Sequence, residues 1–394
     1  MMKDKTEIRI FWPTQIPPDI FETRYSYYFC RKISFENCLP ILQTANDWID
    51  YEGIENLTYE LETNSKDYNI VITEPEIIVS RHSCEGLIRT IDRGFDVSGP
   101  VFNDTSISEQ RASLPFPYSN YSTFMEIEKK YVSRTTSESR KVNTLDPGCF
   151  LLKKKAVPLL PNLLAQKPFP AGFAVGVAPG ALVHRFSDYY ATERKDLVDL
   201  IPPDVKTVLD VGCAMGGYGK SLKQYRPEIY LIGVEPNGYM ADLARPFYDE
   251  IIQRYIEDVD LAYAVDAINC GDVLEHLYNP CKTVRKLHSN LKEGGHLIFS
   301  VPNIGHWSIT RDLLKGKFQY IPVGLQCVTH IRWFTEESIR EMLEETGFQI
   351  EVLHQEKIPP TPEGEKFISD ICSKGYGDRD SLETAEYTIR AVKI

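Results

Sequence analysis

From Tyr189 onward the sequence predicts a doubly wound α/β domain, with a smaller α/β part before it. Three observations predict this. Short apolar runs alternate with segments of helical spacing. The runs are continuously apolar, as in strands covered on both faces. A glycine-rich turn, VLDVGCAMGGYGKSL at 208–222, joins the first such run to a helix.

The elements follow in order. YYATERKDLVDLI has helical spacing, and PPDVKTVLDVG then forms a strand. YGKSLKQY is a helix, IYLIGVEP a strand, GYMADLARPFY a helix and AVDAINCGDV a strand. NPCKTVRKLHSNL opens a helix with Asn279 as N-cap and Pro280 at the first helical position. GGHLIFSVPN is a strand. TEESIREMLEETG starts at the cap Thr335, carries two acids in its first turn and stops at Gly347. FQIEVLHQ and the final AEYTIRAVKI are strands.

Residues 1–155 differ in composition, with short strand-like runs EIRIFW, YNIVITEPEIIVS and CFLLKKKAV among turn residues. Between them and the regular half lies VPLLPNLLAQKPFPAGFAVGVAPG, whose five prolines forbid a long helix. The predicted organisation is thus an N-terminal domain 1–155, a connection 156–188 and a domain 189–394.

The net charge of −12 argues against a nucleic-acid partner, whose phosphates need cations. Nine scattered cysteines without a C-x-x-C pair read as core thiols of a reducing compartment. No apolar run approaches the ~18 residues of a spanning helix, and MMKDKTEIRIFWPTQ has no signal-peptide core. The expected location is cytoplasmic.

A strand, a glycine turn and a helix N-terminus place bare backbone N–H groups at the carboxyl edge of a sheet, where open α/β folds bind ligands. A phosphate-binding G-x-G-x-x-G loop is matched only loosely, by Gly212, Ala214 and Gly217. The pattern D-x-G-x-(G/A)-x-G is met by Asp210, Gly212, Ala214 and Gly216. An acid at Asp210 repels a pyrophosphate and suits a cationic, phosphate-free nucleoside. Glu235 ends the next strand, where a carboxylate accepts both hydroxyls of a ribose. S-adenosyl-L-methionine has these properties.

The segments VLDVGCAMGGYG, GVEPN, GDVLEHLYNP, LKEGGHLIFSVPNIGHWS, HIRWFTEESIREMLEETGF and the closing strand resemble, in this order, the class I S-adenosylmethionine-dependent methyltransferases. They look most like the subgroup common in bacterial surface-polysaccharide gene clusters. The resemblance covers about half of the chain. It implies a Rossmann-like seven-stranded sheet whose last strand inserts antiparallel beside the fifth, and transfer of a methyl group to a sugar or glycan-related small molecule. Carried over residue by residue, it puts Asp210, Gly212, Cys213, Ala214 and Gly216 at the methionine end of the donor. Glu235 then holds the ribose, flanked by Pro236 and Asn237, and Gly271, Asp272 and Val273 form the floor. The acid that often meets the adenine amine is replaced here by Tyr255 and Ile256.

A sugar hydroxyl needs a nearby proton acceptor. His276 is the first candidate, then His306 and His330. Trp307, Trp333, Tyr320, Tyr189 and Tyr190 are candidates to stack on or close the acceptor pocket, with plain packing as the alternative. LLKGKFQYIPVGL is expected to form a helix and loop over that pocket. No metal is expected. In the N-terminal part, SGPVFNDTSISEQRASLPFPYSNYSTFMEIEKKY with LDPGCFLLKKKAV resembles part of the GT-A glycosyltransferase core. Glu74 and Glu76 stand where that family carries metal-binding aspartates. They read as solvated acids of a degenerate module that binds a glycan acceptor or a partner protein.

Overall fold

The computed structural model describes residues 8–14, 21–42, 44–103, 105–114, 121–134, 138–186, 189–321 and 324–394. The chain divides into two units, Met1–Pro117 with Thr123–Ser187, and Tyr118–Ser122 with Asp188–Ile394.

The first unit is built on β1 (Ile8–Pro13), β2 (Trp48–Tyr51), β3 (Tyr68–Ile72), β4 (Ile77–Val79), β5 (Val97–Phe102), β6 (Arg140–Lys141), β7 (Cys149–Lys153) and β8 (Val175–Arg185). Their order is β2-β1-β3-β7-β5-β8-β4, with β6 on β8. β1 pairs in parallel with β2 and β3, and β7 runs antiparallel to both β3 and β5.

The connection expected over 156–188 is corrected here. Its second half is β8, paired in parallel with β5 and antiparallel to β4. Proline does not exclude this strand. The register against β5 jumps between Gly99 and Val101, from Val177 to Leu182, so Pro179 falls in an irregular stretch where its missing N–H breaks no ladder bond. The apolar side chains of VGVAPGALVHR are buried in that sheet.

The second unit carries β9 (Thr207–Val211), β10 (Tyr230–Val234), β11 (Glu250–Ile252), β12 (Val265–Gly271), β13 (Leu291–Pro302), β14 (Phe348–Lys357) and β15 (Thr384–Lys393). The order is β11-β10-β9-β12-β13-β15-β14. The strands from β11 to β13 are parallel, while β15 is antiparallel to both β13 and β14. This is the Rossmann-like class I sheet that the sequence implies, with the closing strand beside the fifth. β11, which the reading of apolar runs does not mark, completes the seven strands that the resemblance implies; it is three residues long and only partly buried.

Alternation along the central strands divides the core between two faces. Leu209, Ile232, Ile268 and Leu297 belong to one cluster. Val208, Leu231, Ala267 and Ile298 belong to the other. The caps fall as expected: Asn279 accepts from Lys282 N and Thr335 from Ser338 N. The helix expected over YYATERKDLVDLI shrinks to Lys195–Val198, because Arg194 has a left-handed φ of 40°.

Candidate functional site

Asp210 is the next to last residue of the central strand β9, and its register partners are Gly233 on β10 and Asn269 on β12. The three lie on one face of the sheet. On one side Asn269 Nδ2 donates to Asp210 Oδ1 at 2.7 Å. On the other, Gly233 has no side chain, and the Tyr248 ring occupies that space. A Cβ on Gly233 would sit 2.9 Å from Tyr248 Cδ1. The Tyr248 hydroxyl donates to Asp210 Oδ2 at 2.5 Å. Asp210 is only 2% exposed. Burial pushes its carboxyl up to about 6 against the two hydrogen bonds, which favour the ionised form. Each of its oxygens thus has a partner inside the fold, Tyr248 for Oδ2 and Asn269 for Oδ1.

Past β9 the chain turns through Gly212, Cys213, Ala214, Met215 and Gly216 into the helix Gly217–Tyr225. Gly212 has φ 71° and Gly216 φ 85°; Ala214, at φ 44°, takes a left-handed conformation without being glycine. Cys213 is buried, and burial raises its thiol far above the ordinary value. Glu235 stands at the end of β10 and is buried. Its Oε2 accepts from Ala214 N at 3.0 Å and its Oε1 from Asn237 N at 2.9 Å. One carboxylate thus joins the glycine loop to the next strand tip. Pro236 is exposed, and Asn237 caps the helix Gly238–Ala244 by accepting from Met240 N. Tyr255 is exposed, whereas Ile256 packs in the core cluster.

Gly271 ends β12 and Asp272 and Val273 follow it, all three half-buried. Asp272 has a left-handed φ of 54°. Its Oδ1 accepts from Ser300 Oγ at 2.7 Å and its Oδ2 from Arg194 Nη1 at 2.5 Å. Arg194 also donates to Glu386 Oε1 at 2.8 Å and to Asp196. Glu386 is pushed up to about 8 by burial first and Asp272 second, against the pull of Arg194.

One turn on, Glu275, His276 and His330 bring a carboxylate oxygen and two ring nitrogens within 4.8 Å of one another. The Glu275 side chain is 1% exposed, and neither of its oxygens takes a hydrogen bond. Burial, then Asp272, pushes its carboxyl well above the usual range. The His276 and His330 rings meet edge to face at 4.9 Å. From His330 the aromatic contacts run to Trp333 at 5.9 Å, to Phe318 at 5.6 Å and to the exposed Tyr320 at 5.3 Å.

His306 caps the helix Trp307–Leu314 through Nδ1, which accepts from Ser308 N at 3.4 Å and lies 2.9 Å from Ser308 Oγ, and it is fully buried. Burial takes its ring down to about 3. Trp307 is a core residue with Ile368 and Leu382. The Tyr190 carbonyl oxygen accepts from Met215 N at 3.2 Å. The side chain of Tyr189 and residues 322–323 of the expected acceptor loop lie outside the described residues.

Residues 182–353 match the protein-family model described as "Methyltransferase domain". That match covers most of the second unit. A ubiquinone biosynthesis O-methyltransferase of Aliivibrio fischeri is 24% identical over 156 residues, covering 36% of this chain and 64% of its own length. A tRNA U34 carboxymethyltransferase of Helicobacter acinonychis is 34% identical over 103 residues, 24% of this chain and 39% of its own. The solved structure of an S-adenosylmethionine-dependent methyltransferase from Mesorhizobium loti has 17% identity and a TM-score of 0.35, covering 52% of this chain and 99% of that one. The chain spans less than two thirds of the curated relatives' length, and the family match leaves nearly all of the first unit outside it.

Tyr248, Asn269, Arg194 and Glu275 were not singled out from sequence. Asn269 was within reach, because pairing β12 in register with β9 sets it beside Asp210. Tyr248 gives no local signal; only the paired glycines of neighbouring elements make room for it.

Proposed function

We propose that the protein transfers a methyl group from S-adenosyl-L-methionine to a hydroxyl oxygen of a sugar or glycan-related small molecule. The observation that carries this reading is the placement of Asp210 and Glu235 on adjacent parallel strand ends, joined by the bare main chain of the 212–216 loop. These residues fit the donor. Glu235 presents two acceptor oxygens that exchange the Ala214 and Asn237 amides for a ribose diol. Gly212, Cys213, Ala214 and Gly216 offer backbone to the methionine end. Pro236 and Asn237 flank the ribose, Tyr255 and Ile256 take the adenine, and Gly271, Asp272 and Val273 form the floor. Asp210 fixes Tyr248 and Asn269 rather than touching the donor.

The sulfonium supplies an already activated methyl group, so the protein's task is alignment and exclusion of water. His276 is the residue proposed to face the acceptor oxygen. The aromatic wall from His330 to Tyr320 offers faces on which a sugar ring stacks. A phenolic hydroxyl of a non-sugar metabolite is the second reading. It is favoured by the relatives named for ubiquinone biosynthesis and is equally suited to that wall.

For the first unit we propose a degenerate glycosyltransferase-like module that binds a glycan acceptor or a partner protein. Support comes from Glu74, which accepts from Arg185 Nε at 2.7 Å and Nη2 at 2.9 Å. Arg185 is held in turn by Asp146 of the LDPGC segment. A glutamate clamped in this way is an ion-pair partner rather than the solvated acid expected. The alternative, a second sugar-transferring activity, requires Glu74 to be released.

Calorimetry on the full chain tests the reading. S-adenosylmethionine is expected to bind, at least about tenfold more weakly after Glu235→Ala, which removes charge-assisted hydrogen bonds worth roughly 1.5–3 kcal/mol. Absence of binding at millimolar donor would overturn it. Labelled donor offered with nucleotide sugars, lipid-linked glycans and phenols then separates the two acceptor classes.

A further inference from the structure

Glu275 is an unusual side chain. A carboxyl taken fully out of water with no hydrogen bond costs several kcal/mol unless a cation or proton compensates it. Neither oxygen has a hydrogen-bond partner, and His330 Nε2 lies 3.8 Å from Oε1. His330 is 5% exposed and its Nδ1 lies 3.2 Å from the Leu325 carbonyl oxygen. That contact places the ring proton on Nδ1 and leaves the Nε2 lone pair directed at Glu275. The backbone fixes the same geometry: the Glu275 carbonyl accepts from both Ile331 N and Arg332 N, tying the segment of His330 to that of Glu275 and His276.

We infer that Glu275, His276 and His330 form a binding site for one divalent transition-metal cation of the zinc class, with a remaining coordination position for an acceptor oxygen. Two imidazole nitrogens and one carboxylate suit such an ion and suit magnesium or calcium poorly. An ion with bonds of ~2.1 Å holds tetrahedral ligands about 3.4 Å apart. The three ligand atoms lie within 4.8 Å of one another, so side-chain movements of about 1 Å close the set. The Leu325 carbonyl is the outer partner that orients a metal-bound histidine through its second nitrogen. With the ion bound, the three side chains are ligands rather than bases, and orientation of the acceptor oxygen passes to the metal. That role rests on the methyl-transfer reading. Binding of the ion does not.

The test uses the full chain, stripped with a chelator and desalted, and titrated with Zn²⁺ or Co²⁺ alone. Expected are one equivalent of tight binding, visible Co²⁺ ligand-field bands of low-symmetry nitrogen and oxygen coordination, and a raised melting temperature with Zn²⁺. Glu275→Gln and His330→Gln should each weaken the tight site at least about tenfold, since even outer partners of a metal site are worth 10–100-fold. Their melting without metal reports whether they fold. If a variant fails to fold, the wild-type Co²⁺ spectrum decides alone. Wild-type Co²⁺ binding with the spectrum of the hydrated ion, or tight binding unchanged in folded variants, would overturn the inference. S-adenosylmethionine binding is measured on the same samples. Metal without donor binding sinks only the functional reading, and donor without metal binding sinks only the site.

Discussion

The Tyr248 hydroxyl lies between Asp210 and the first turn of the helix that follows the glycine loop. It donates to Asp210 Oδ2 at 2.5 Å and accepts from Gly219 N at 3.1 Å. The ring reaches this place because Gly219 and Gly233 face it. A Cβ on Gly219 would stand 2.4 Å from Tyr248 Cε2. One hydroxyl therefore ties the central strand to the helix N-terminus, and with it the loop between them.

Tyr248→Phe removes that tie. It leaves a buried carboxylate oxygen and a helix N–H each short of a partner, so the expected loss is about 1–3 kcal/mol. Gly219→Ala displaces the ring and breaks the same bond by another route. The double variant should then cost clearly less than the sum of the singles, because the residues are in contact. Urea denaturation of the four proteins measures this. Strict additivity would show that the Tyr248 hydroxyl does not couple strand to helix.

Asp210 predicts a pH dependence. Its folded value of about 6 lies above the ordinary 3.8, so the folded state holds the proton more tightly than the unfolded chain. The stabilisation this brings is complete below about pH 4 and is lost as pH rises through about 6. The difference between the two values corresponds to at most about 3 kcal/mol. Asp210→Asn cannot titrate, so wild type should lose stability relative to the variant between pH 4 and pH 7. Denaturant midpoints at several pH values test this; a constant difference across that range would refute the shift.

The succession of strands and helices along the chain, the glycine loop and the place of Glu235 at a strand end were legible because each rests on local pattern. Apolar runs, turn glycines and an acid at a strand end are visible in any window. What was not legible depends on pairing across the sheet. That both oxygens of Asp210 are engaged follows only from its register partners, Asn269 as a donor and Gly233 as the gap that admits Tyr248. That His306 caps a helix follows only from where that helix begins. The 175–185 strand was obscured by Pro179, whose effect is absorbed by a register jump that no local rule predicts.

Ala214 holds a left-handed φ of 44°, a conformation that costs an L-residue roughly 1–2 kcal/mol. Its amide donates to Glu235 in that conformation. Ala214→Gly relieves the strain but frees the unfolded chain, an offset of up to about 1 kcal/mol. The net expectation is a gain of up to about 1 kcal/mol with donor binding retained. Thermal melts and calorimetry check both. A clear loss of stability would show that the methyl group of Ala214 packs favourably enough to outweigh its backbone cost.

Arg194 carries the last prediction. It pairs with Asp272, Glu386 and Asp196, and its side chain is 18% exposed. Arg194→Gln leaves these carboxylates to repel one another. Half-buried pairs fall between surface pairs worth under 1 kcal/mol and buried ones worth 3–5, so the expected cost is about 1–3 kcal/mol at neutral pH. The sign with pH follows from Glu386, whose folded value of about 8 lies above the ordinary 4.5. Its contribution is full below about pH 4.5 and declines as pH rises through about 8. Arg194 offsets that decline, so removing it should widen the gap between wild type and variant from pH 5 to pH 8. Paired denaturation curves at the two ends of that range measure it, and a gap that narrows with pH would mean that Arg194 does not neutralise Glu386.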